Sequence, residues 1–147
     1  ESRIAKEDED TAEKDDRGWQ WRHFMAEQIA EKMDMDTFGV KGIYLFGSTN
    51  NCTARLNSDI DLLIHIDGDE EKKQKLDTWL KGWSLALSET NFLKTGYTSD
   101  GLLDIHYLTD RDIADKSSYA LKIGSIYDPA FPLRLRIDKS KLVSGIV

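Results

Sequence analysis

The chain has 147 residues, a single cysteine and a formal net charge of -7, with 39% hydrophobic and 32% charged residues. Such numbers describe one globular domain with enough material for a core; they exclude an internal disulfide and disfavour a general nucleic-acid binder, whose affinity rests on Lys and Arg. No apolar run approaches the roughly 20 residues of a membrane span, no signal-peptide h-region opens the chain, and the lone Cys52 suits a reducing compartment, the cytoplasm.

Residues 1–17 are crowded with Asp, Glu and Lys and nearly devoid of apolar side chains, which predicts a flexible acidic tail and leaves 18–147 as the folded domain. Glu1 in place of Met agrees with an origin in a longer protein. Over 18–36, Trp21, Met25, Ile29 and Met33 recur beside Ala26 and Ala30, one face of an amphipathic helix that Gly39 and Gly42 interrupt. Residues 43–46 (Ile-Tyr-Leu-Phe) form a short apolar run, a buried strand entering a tight turn at Gly47-Ser48. The polar stretch 49–58 has room for one helical turn. Residues 59–66 alternate: Ile60, Leu62, Ile64 and Ile66 share one face, Asp59, Asp61, Leu63 and His65 the other. Leu76, Trp79, Leu80, Trp83 and Leu87 then mark a helical stripe read as core. A third strand falls at 101–108, with Asp104 and His106 on one face. Beyond it, 119–123 reads as a short helix, and Pro129 and Pro132 as irregular chain. The order gives one α/β domain around a small sheet.

Chemistry concentrates in the acids. Two ionised carboxylates at i and i+2 of a strand repel each other unless a cation sits between them. A hard divalent ion such as Mg²⁺ takes one or two carboxylates together with substrate phosphates. Asp104, a third acid in an otherwise apolar strand, adds to that demand, because a buried charge needs compensation. Gly47 after a buried strand lets backbone approach a ligand closely, and Ser48 adds a hydroxyl and neighbouring N–H groups suited to phosphate oxygens.

Leu45-Phe46-Gly47-Ser48, the intervening loop and Ser58-Asp59-Ile60-Asp61-Leu62-Leu63-Ile64 resemble the signature of the DNA polymerase beta-type nucleotidyltransferase superfamily, especially its minimal members. The loop has the family length, Thr53-Ala54-Arg55 and Asn57-Ser58 fit its pattern, and Asp104 within Leu102-Leu103-Asp104-Ile105 fits the third acid. The resemblance covers roughly 18–108. Residues 79–133 also resemble nucleotidyltransferase-like domains attached to phosphoenolpyruvate synthase or pyruvate phosphate dikinase-type proteins. Departures are Thr49 and Asn51 where arginines are common, Cys52 for a common Gly and Leu56 for a common Pro.

What the resemblance implies is the nucleotidyltransferase fold, a small mixed β-sheet flanked by helices. It further implies transfer of a nucleoside monophosphate from a nucleoside triphosphate, with ATP the expected donor, to an acceptor hydroxyl with release of pyrophosphate. Asp59, Asp61 and Asp104 would hold two Mg²⁺ ions, Asp104 would serve as base, and Gly47, Ser48 and Arg55 would contact the triphosphate. A protein hydroxyl or a small molecule such as an aminoglycoside would suit the acceptor; the net charge disfavours an RNA end, and no membrane partner is implied. Two non-catalytic alternatives remain: an antitoxin-like partner of a helical HEPN toxin, or a degenerate domain of a larger phosphotransferase. The blander readings are kept for His65 and His106, as hydrogen-bonded histidines, and for Cys52, as a loop thiol.

Overall fold

The computed structural model describes residues 17–116 and 131–133, and its architecture is mixed α/β. The expected tail, apart from Arg17, the expected helix over 119–123 and Pro129 lie outside the described residues. Helix α1 (Arg17–Lys32) and a short α2 (Met35–Phe38) lead into β1 (Val40–Phe46), then α3 (Gly47–Asn50) and β2 (Ile60–Ile66). The long α4 (Glu70–Thr95) follows, then β3 (Leu103–Leu108), α5 (Asp110–Ala114) and the two-residue β4 (Phe131–Pro132). The predicted helix over 18–36 therefore divides: Asp34 caps α2, accepting from the Thr37 N–H at 3.2 Å, and stops the first helix short. Pro132, read from sequence as irregular chain, closes an edge strand, where a missing N–H is tolerated.

The sheet runs β3-β2-β1-β4. β1 pairs antiparallel with β2, whereas β2 and β3 are parallel, joined by α4 as a crossover helix. β1 starts earlier than expected, at Val40, because Gly42 belongs to the strand: a Cβ there would meet the Tyr44 ring at 3.2 Å. Asp69 caps α4, accepting from Lys72 N–H at 2.9 Å, and Gly96 (φ 81°) ends it in the left-handed conformation that favours glycine.

One face of the sheet carries Ile43, Leu45, Ile60, Leu62 and Ile64, all fully buried against Ala26, Ile29, Ala30 and Met33 from the α1 side and Leu76, Leu80 and Leu87 of α4. Trp79 and Trp83 pack on this core half-exposed, with Trp79 leaning on Phe38 at 5.4 Å between ring centroids. The opposite face holds a smaller cluster, Phe46, Leu63 and Leu108. That second face also carries the acids.

Candidate functional site

Register brings two of the three predicted acids together. Asp61 in β2 pairs with Asp104 in β3, and Phe46 at the end of β1 pairs with Asp61. Parallel strands lie about 4.8 Å apart and paired residues point the same way, so Asp61 and Asp104 stand side by side on the second face. Asp59 sits one residue before β2 rather than within it, at the mouth of the same edge. Asp59 still reaches solvent, yet the surrounding protein strips part of its hydration. That desolvation, reinforced by the charge of Asp104, raises its pKa above the ordinary carboxylate value, while the Arg22 guanidinium works the other way.

Gly47 supplies the close approach. Its φ of 73° lies in the left-handed region, and a Cβ there would stand 3.2 Å from Asp61 Cγ and closer still to Oδ2. Only glycine lets the turn lie against that carboxylate. Ser48 is half-exposed beside it, and its carbonyl accepts from Thr53 N–H at 2.8 Å, which closes the loop after α3. Thr49 turns inward: it is fully buried, with its hydroxyl lacking a hydrogen-bond partner. Arg55 lies on the exposed outer side of the loop, where its N–H donates to Ser58 Oγ at 2.8 Å. Cys52 is an exposed thiol at φ 61°.

The two strand histidines, His65 and His106, have carboxylate partners. His65 Nε2 lies 2.6 Å from Asp110 Oδ1, at the far end of β2 from Asp59. Hydrogen bonds from His65 and then from Lys41 hold the Asp110 carboxyl below the usual carboxylate range. His106 Nε2 lies 3.3 Å from Asp104 Oδ2, with its ring tilted against Phe46 at 5.6 Å. His106 therefore touches a candidate site acid, whereas His65 belongs to a separate surface cluster.

An all-oxygen set of carboxylates beside a glycine turn has the chemistry that a hard divalent cation prefers. Burial chiefly, and then the charge of Asp104, hold the Asp59 pKa up, and a bound cation would offset both. Among the described residues, no three acidic, His or Cys side chains are closed around a single point.

Sequence reasoning missed Arg22 and Asn91. Both are buried, and Arg22 Nη2 donates to Asn91 Oδ1 at 2.8 Å. Arg22 also donates from Nε to the Ser58 carbonyl (2.9 Å), from Nη2 to that of Leu56 (3.1 Å) and from Nη1 to that of Gly18 (2.8 Å). Asn91 Nδ2 donates to the same Leu56 carbonyl at 3.0 Å. A signal was present: Arg22 falls on the stripe of Ala26, Ile29, Ala30 and Met33, where an apolar residue would be expected.

Residues 27–102, just over half the chain, match the family described as polymerase beta, nucleotidyltransferase. No curated protein and no solved structure matches the chain significantly. The matched segment runs from within α1 to the threshold of β3, so it includes Gly47, Ser48, Asp59 and Asp61 and stops just before Asp104.

Proposed function

The chain belongs to the polymerase beta nucleotidyltransferase family, and on that premise we propose that it binds a nucleoside triphosphate at the Gly47–Asp61–Asp104 edge and transfers its nucleoside monophosphate to a hydroxyl. The observation that carries this reading is the pairing of Asp61 with Asp104 directly against the glycine turn. Asp59, Asp61 and Asp104 are the residues that would hold magnesium, whose role when bound is to neutralise phosphate charge and acidify the acceptor hydroxyl.

The chain's own groups then act mainly by positioning and electrostatics. The backbone at Gly47 and the hydroxyl of Ser48 orient the β- and γ-phosphates. Asp104, half-exposed on its strand, takes the proton of the acceptor hydroxyl as its oxygen bonds to the α-phosphorus. The bond from that phosphorus to the bridging oxygen breaks and pyrophosphate leaves. ATP is the donor to try first. A protein or small-molecule hydroxyl suits the acceptor better than RNA, given the net charge of -7.

A second reading, nucleotide binding without turnover, is favoured by one observation. Thr49 is sealed in the core where related domains often carry an arginine, so that position offers the triphosphate no positive charge. In that case the domain would act as a regulatory module, paired with a HEPN-type partner or carried by a larger phosphotransferase. Incubation with Mg²⁺ and a panel of α-labelled nucleoside triphosphates separates the two. The transferase reading expects labelled product and pyrophosphate, both abolished by Asp61→Asn; binding without any release of pyrophosphate in the presence of candidate acceptors contradicts it.

A further inference from the structure

We infer that Arg22 is a positioning residue for Asp59, with Asn91 as its brace: together they fix the loop end that sets where the first acid of the site stands. The inference rests on the functional reading above, since it assigns to Arg22 and Asn91 a part in assembling that site.

The loop between α3 and β2 has little structure of its own. After the turn closed by Ser48 and Thr53, its remaining backbone bonds are few, and Ser58 N–H donating to the Arg55 carbonyl at 3.1 Å is the last before Ile60 joins the sheet. Asp59 links the small Arg55–Ser58 turn to the sheet, where Ile60 N–H donates to the Leu102 carbonyl at 2.7 Å, and that turn is tied to the helices by what holds Leu56 and Ser58 from beneath. Those two carbonyls receive three side-chain hydrogen bonds, two from the Arg22 fork and one from Asn91 Nδ2. A planar guanidinium offers donors in fixed directions, so gripping two carbonyls two residues apart sets both position and twist of the segment. Its remaining bonds, to the Gly18 carbonyl and to Asn91 Oδ1, tie the grip to α1 and α4, the two helices that back the sheet.

The arrangement is hard to explain by stability alone. Arg22 is fully buried, and desolvation lowers its pKa to about 10, against which the charge of Asp59 pulls upward. A buried charge bound chiefly to carbonyls is costly, and an apolar residue of similar volume often serves stability as well or better. An apolar residue could not grip Leu56 and Ser58, nor place positive charge near Asp59. Arg22 reaches those carbonyls from the inner side of the loop, so it supports Asp59 from behind and leaves the carboxylate available to a ligand.

The test compares Arg22→Lys, which keeps the charge and loses the fork, with Asn91→Ala and with Leu87→Ala, a core deletion one turn earlier on α4. Two readouts are needed: Mn²⁺–ATP affinity by electron paramagnetic resonance, well below every variant's melting temperature, and amide shifts over 56–60 in metal-free protein. Outer residues that orient a ligand typically contribute about 10–100-fold to metal affinity, so Arg22→Lys should weaken Mn²⁺–ATP by that factor. Asn91→Ala should weaken it by a smaller factor, and both should shift the 56–60 amides. Leu87→Ala should lower the melting temperature without changing affinity. The inference fails if Arg22→Lys and Asn91→Ala bind as the wild type does, or if Leu87→Ala loses as much affinity. Should Arg22→Lys not fold, the comparison of Asn91→Ala with Leu87→Ala decides. A wild-type protein unable to bind Mn²⁺–ATP overturns the functional reading and this inference together; binding that survives both loop variants overturns the inference alone.

Discussion

Replacing Gly47 by alanine should damage stability and binding through two separable effects. Gly47 has φ 73°, and an L-residue in the left-handed region loses about 1–2 kcal/mol. For a domain of this size each kcal/mol lowers the melting temperature by roughly 2–4 °C, so the backbone effect alone predicts a fall of about 2–8 °C. The second effect falls on the site: the added methyl would lie 3.2 Å from Asp61 Cγ and nearer to Oδ2, so that carboxylate must rotate away from the turn. Differential scanning fluorimetry gives the first quantity and calorimetric titration with Mg²⁺–ATP the second. Gly82→Ala is the matching control, because a Cβ there meets nothing within 4 Å on the exposed side of α4. It should gain about 0.5–1 kcal/mol from helix propensity and bind unchanged. A Gly47→Ala protein that melts and binds like the wild type would refute the assigned contact between the glycine turn and Asp61.

Three further outcomes follow from the same geometry. The raised pKa of Asp59 means the folded chain holds that proton more tightly than the unfolded one, so ionisation of Asp59 opposes folding progressively as pH rises through the raised value. In metal-free buffer Asp59→Asn should therefore melt higher than the wild type at neutral pH, with the difference closing in acid, and a lower melting temperature at pH 7 would contradict this. Asp110 has the opposite sign: its lowered pKa contributes stability above the unfolded carboxylate value and loses it as pH falls through the folded one. Asp110→Asn should melt below the wild type at neutral pH and match it in strong acid, and parallel melting curves at all pH values would count against the His65–Lys41 explanation. Leu63→Ala, at a fully buried position beneath the acid face, should destabilise by about 2–5 kcal/mol in urea titration; a loss under 1 kcal/mol would mean that the second cluster is not packed.

Much of the site was legible because strands report themselves locally. Alternation over 60–66 placed Ile60, Leu62 and Ile64 in the core and so turned Asp61 to the other face, as β2 shows. Asp104 stands out as an acid within an apolar strand that fits the family's third acid, and the parallel register that sets it beside Asp61 came only with the structure. What stayed hidden depends on distant partners. Arg22 interrupts an apolar stripe, but what it holds shows only when Leu56, Ser58 and Asn91 arrive from 34, 36 and 69 residues away. The break between α1 and α2 turns on one cap, Asp34, within a sequence whose apolar period continues through Met33. Trp79 and Trp83 keep helical period with the core yet remain half-exposed, because rings so large at the rim of α4 cover the core without being enclosed.

The most direct measurement is titration of ¹⁵N-labelled protein with ATP and Mg²⁺, read at the amides of Gly47, Ser48, Asp61 and Asp104. Saturable shifts at all four, dependent on the divalent ion and absent in Asp61→Asn, are what a shared nucleotide site requires. Shifts confined to other surfaces, or none at millimolar ATP, would contradict it.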